Sequence, residues 1–73
     1  MNLKNFIEGV TTLTKYCDQD SYQIGAGHDQ FYFYATARPV SKEDYERLIE
    51  LGWFQPDIRG DEYDPVEGWS CFT

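Results

Sequence analysis

The run Phe31-Tyr32-Phe33-Tyr34-Ala35-Thr36-Ala37 constrains this chain more than any other segment. Successive side chains of an extended strand point to opposite faces. Phe31, Phe33, Ala35 and Ala37 therefore share one face, and Tyr32, Tyr34 and Thr36 share the other. A hydrocarbon ring favours full removal from water, whereas a phenol carries a polar tip that tolerates it. The pattern asks for a sheet covered on its Phe face and open on its Tyr face. The rest of the chain must supply the cover.

Two segments have the right periodicity to do so. Leu3, Phe6, Ile7, Val10, Leu13 and Cys17 recur at steps of three and four, one apolar stripe of a helix from about Asn2 to Tyr16. Gly9 and Thr11-Thr12 lower its intrinsic propensity, so packing must hold it. A second helix opens at Ser41-Lys42-Glu43-Asp44, with Ser41 as N-cap and acids in the first turn. Asp44 stands where a capping box usually has Glu or Gln, and Val40 and Tyr45 hold the staple positions. Tyr45, Leu48, Ile49 and Gly52 share a face, and Gly52 suits a left-handed cap with Trp53 folding back toward Leu48.

Tyr22 to Ala26 and Gln30 to Ala37 read as a hairpin around Gly27-His28-Asp29. Trp53-Phe54 begins a third strand, and Gly68 to Phe72 forms a fourth after a polar loop from Pro56 to Pro65. The expected order is αββαββ, an α+β two-layer domain spanning residues 1–73, with both helices on one face of a small antiparallel sheet.

At 73 residues such a domain buries only about 60% of its unfolded surface, so core residues are scarce. Little interior remains for a pocket of the usual ~300–1,000 Å³, which disfavours small-molecule catalysis in a monomer. No stretch approaches the ~20 apolar residues of a membrane span, and the opening Met1 to Phe6 lacks the apolar run of a secretion signal. A cytoplasmic location is expected. Cys17 and Cys71 lack CxxC spacing and read as buried reduced thiols and not as a zinc site, with a single bridge from the end of the first helix to the last strand as the alternative. Neither a metal nor another cofactor is expected.

The charge is one-sided. Residues 1–42 carry four acids and four bases, whereas residues 43–73 carry nine acids against Arg47 and Arg59. The entire net charge of −7 therefore lies in the last 31 residues. Glu43, Glu46 and Glu50 fall at helical steps as an exposed negative row, and Asp57, Asp61, Glu62, Asp64 and Glu67 cluster within eleven residues. The cluster lacks the alternating spacing of a calcium loop. Six bases against thirteen acids exclude a good phosphate-backbone binder, and the same field repels anionic lipid. It attracts basic protein surfaces. Tyr32 and Tyr34 add a surface of the kind protein interfaces use.

Three apparent motifs have plainer readings. Gly25-Ala26-Gly27 lacks the third glycine of a dinucleotide loop and precedes a strand, so it reads as hairpin glycines. His28 and Asp29 are neighbours that point apart, which suits a solvated turn better than a catalytic dyad. A nucleophile would have to be Cys17 or Cys71, neither of which sits in a known signature.

Glu50-Leu51-Gly52-Trp53-Phe54, the acidic loop after it, and Gly68-Trp69-Ser70-Cys71-Phe72 give residues 22–73 a resemblance to short phage and prophage proteins of unassigned role. In size and charge the chain is similar to anti-CRISPR and DNA-mimic proteins. The charge confined to the last 31 residues, with that likeness of type, leads to the expectation of a non-enzymatic inhibitor that binds a basic, nucleic-acid-handling host protein or nucleoprotein complex. Its candidate contacts are Glu43, Glu46, Glu50, Asp57, Asp61, Glu62, Asp64 and Glu67, with Tyr32 and Tyr34. The alternative is a small adaptor that binds through the tyrosine face alone.

Overall fold

In the computed structural model, residues 1–18, 20, 24–56 and 64–73 are described. Helix α1 spans Leu3–Thr14, and the side chain of Asn2 caps it by accepting the Asn5 amide at 2.8 Å. Strands β1 (Ile24–Ala26) and β2 (Gln30–Phe33) follow, then α2 (Lys42–Leu51) and β3 (Trp69–Phe72). The sheet is antiparallel in the order β1-β2-β3. The class is α+β, but among the described residues the order is αββαβ and not αββαββ.

The expected third strand shrinks to a single antiparallel bridge between Phe54 and Ser70. Trp53 cannot extend it, because its amide closes the end of α2 and its indole enters the core. Gln55 cannot either, because its buried side chain donates to the carbonyls of Asp64 and Glu67 at 2.9 and 3.3 Å. The second strand stops at Phe33 and does not reach Ala37. Beyond it the amides of Ala37 and Arg38 both donate to the Tyr16 carbonyl, which draws the chain to the end of α1. The expected start of the first strand at Tyr22 and Gln23 lies outside the described residues.

Helix α2 ends as its residues require. Gly52 adopts φ 100°, a conformation that costs a Cβ-bearing residue but not glycine. The Gly52 amide then donates to Ile49, and the Trp53 amide reaches back to Leu48 at 2.9 Å. At the other end Ser41 accepts the Asp44 amide.

Both helices cover the same sheet face. Phe6 of α1 meets Phe31 edge-on at 5.1 Å, and Tyr45 of α2 meets Trp69 at 5.4 Å. Phe31 pairs with Cys71 and Phe33 with Trp69, so these four side chains point to the helices. Trp53 fills the space beneath α1, stacked on Phe6 and donating its indole N–H to the Asn5 carbonyl at 3.3 Å. A Cβ on Gly9 would fall inside that indole, so only glycine admits Trp53 there. This shifts the buried side of α1 toward Gly9 and leaves Leu3 and Ile7, both expected in the stripe, 72% and 53% exposed. Ile49 of α2 is also exposed, and Leu51 is buried in its place.

The helices are tied antiparallel by Asn5 to the Leu51 carbonyl, by Arg47 to Glu8, and by Lys15 to Asp44. Cys17 and Cys71 are buried free thiols. Among the described residues no helix is long and apolar enough to cross a membrane.

Candidate functional site

The carboxylates of α2 do not form an unbroken negative row. Arg47 stands within it, holding Glu8 at 2.6 and 3.0 Å and Glu50 at 3.0 Å. These contacts keep the Glu8 carboxyl below its usual pKa, chiefly through the hydrogen bond from Arg47. Glu43 and Glu46 are exposed. Asp44 is engaged at the helix joint, where it accepts from Lys15 at 2.7 Å and from the Tyr16 hydroxyl. The hydrogen bond from Lys15, then that from Tyr16, holds its carboxyl below the ordinary aspartate range. It does not close a capping box, since the Ser41 amide donates to Tyr16 instead.

In the C-terminal cluster, Asp64 accepts the Val66 amide at 3.0 Å, and Glu67 accepts the Gly68 amide at 3.1 Å through Oε1. Asp57, Asp61 and Glu62 lie outside the described residues. Glu67 borders the sheet face opposite to the one α2 covers. No carboxylate of α2 is among the residues that line the concavity bordered by Glu67.

The open sheet face has more structure than its two tyrosines suggested. Tyr32 pairs with Ser70 and Gln30 with Phe72, so all four side chains share this side. The Tyr32 hydroxyl donates to Gln30 Oε1 at 3.0 Å, Gln30 Nε2 to Ser70 Oγ at 2.7 Å, and Ser70 Oγ to the Phe31 carbonyl at 2.9 Å. Ser70 is thereby fully buried without an unmet polar group. Tyr34 is 54% exposed and lays its phenol across Gly25, where a Cβ would collide with it. Phe72 is 58% exposed beside Phe54, with ring centroids 5.1 Å apart. Gln30, Tyr32, Tyr34, Pro56, Glu67 and Gly68 help to line a concavity of about 440 Å³.

Sequence reasoning found Tyr32, Tyr34 and Glu67 but missed Gln30, Pro56, Ser70 and Phe72. Only the pairing register of β2 with β3 places Ser70 opposite Tyr32, and a one-residue slip would reverse that face.

His28 is exposed in the hairpin turn. Burial pushes the thiol pKa of Cys17 and of Cys71 up, the reverse of what a nucleophilic thiolate needs. Among the described residues no three His, Cys, Asp or Glu side chains are grouped to hold a metal ion. Comparison with known protein families, with curated proteins and with solved structures finds no match.

Proposed function

We propose that the protein acts by binding and not by catalysis. It docks on a basic surface of a nucleic-acid-handling protein and obstructs that surface. The observation that carries this reading is the contrast between the sheet's faces. One is sealed by both helices, and the other presents Tyr34 and Phe72 to solvent around a concavity edged by Glu67. Aromatic rings with a polar tip supply contact area at low entropic cost. A net charge of −7 steers a cationic partner toward them and repels competing anions. The exposed carboxylates Glu43 and Glu46 contribute to that steering field and not to the contact itself.

The test is affinity capture from bacterial lysate at low and high salt, followed by competition with duplex DNA for whatever is retained. Capture is expected to weaken as salt rises. It should be lost with Tyr34→Ala and weakened by charge reversal at Asp61, Glu62, Asp64 and Glu67. DNA should displace the protein from its partner. Capture indifferent to all these changes overturns the reading. Capture that ignores salt and DNA yet needs Tyr34 selects the adaptor alternative, which the exposed aromatic face also favours.

A further inference from the structure

We infer that the concavity on the open sheet face is a seat for a single cationic side chain, arginine above all, projecting from the partner. This rests on the docking reading above and names the chemistry at its centre.

The first argument is the direction of the hydrogen bonds. The hydroxyl of Tyr32, an amide N–H of Gln30 and the hydroxyl of Ser70 all donate within the protein, ending at the Phe31 carbonyl. These three donors are thus spent within the protein. What else lines the concavity includes Tyr32 and Tyr34, Pro56 and Glu67. Two phenol rings beside a carboxylate are complementary to a donor-rich cation.

The second argument is charge. Among the described residues none that lines the concavity is basic, while Glu67 supplies a carboxylate. Its Oε1 accepts the Gly68 amide, which fixes the group and leaves Oε2 to meet a guest. A guanidinium can lie flat on a phenol ring while its edge donates to a carboxylate, a combination that an ammonium matches less well. At about 440 Å³ the space is within the range of sites that enclose small groups, and it has room for the side chain together with its backbone.

The probe is the capped tripeptide acetyl-Gly-Arg-Gly-amide, titrated into the full chain and followed by amide NMR shifts. Its control carries citrulline, which keeps the shape and removes the charge. Saturable shifts are expected at Tyr32, Tyr34, Glu67 and Gly68, with the citrulline peptide binding about five-fold more weakly. Tyr34→Ala should weaken the arginine peptide about five-fold, and Glu67→Gln about three-fold with loss of its salt dependence. Thr11→Ala, at an exposed position of α1, should change nothing.

Equal binding of the citrulline peptide, shifts confined to α2, or no saturable shift each overturns the seat. If the peptide fails while partner capture still requires Tyr34, the docking reading survives and the arginine seat does not. If the peptide binds as described but capture ignores Tyr34 and Glu67, the seat stands and the docking reading falls.

Discussion

Phe31 and Phe33 differ from Tyr32 by one oxygen atom, yet the two sides of the sheet treat their rings in opposite ways. On the helix side Phe31, Phe33 and Trp53 close against one another through ring contacts, and Trp69 meets Tyr45. On the other side Tyr32 is held by a relay of hydrogen bonds, and Tyr34 faces water. The closed side is stabilised by removing hydrocarbon from water, at about 25 cal/mol per Å². The open side adds little to that total and instead fixes polar groups in place. One side holds the fold together, while the other is kept ordered without being hidden, as a contact surface requires.

The sharpest way to break this contrast is to empty the closed side. Trp53→Ala removes the ring beneath α1 and should cost about 3–5 kcal/mol. That is comparable to what a core of this size supplies, so the variant is expected to be largely unfolded by circular dichroism in buffer. A Trp53→Ala protein with native-like urea stability would show that the helix layer does not organise the domain.

A smaller effect is expected within the open side. Ser70→Ala removes the donor to the Phe31 carbonyl and the acceptor for Gln30, for a loss of about 1–2 kcal/mol in urea unfolding. An unchanged midpoint would mean that the relay orders nothing.

Acid separates the helix joint from both faces. Asp44 is depressed below its ordinary value of 3.8 by hydrogen bonds from Lys15 and Tyr16. Its contribution is therefore fully present above the unfolded pKa and is lost as pH falls through the lower folded value. Asp44→Asn should melt below the wild type at neutral pH, and the gap should narrow as pH drops below about 4. A gap independent of pH would assign the difference to packing.

The smallest change in stability is expected for Tyr34→Ala, within about 0.5 kcal/mol because its ring is largely in water. The same variant should lose partner capture, so stability and binding divide along the two faces.

Much of the architecture was readable wherever a signal is local. Ser41 caps α2 through its own hydroxyl, Gly52 takes the left-handed turn, and the Gly27 amide closes the hairpin onto Gln30 at 2.7 Å. Each of these depends on a few adjacent residues. What the pattern misplaced depends on distant ones. Leu3 and Ile7 fit the apolar period, but the helix turns a glycine inward because Trp53, far along the chain, needs the space. A hydrophobic count cannot register a glycine that is buried for its smallness. Phe33 ends its strand because Tyr16 captures the amides that follow, which alternation within the strand does not reveal.

The candidate site follows the same rule. Tyr34 was legible as an outward phenol. The different settings of the carboxylates were not, because Glu50 and Glu67 look equivalent until Arg47 is seen holding one of them.

The two cysteines carry one more consequence. Cys17 lies just beyond α1 and Cys71 in β3, both shielded from solvent and both with thiols that burial keeps protonated. A thiol-specific reagent can modify either one only in molecules that have opened around it. Labelling kinetics of the unmodified chain would thus time two separate events, the loosening of the helix end and the release of a strand. Unequal rates would tell local fraying from cooperative opening without a probe being introduced.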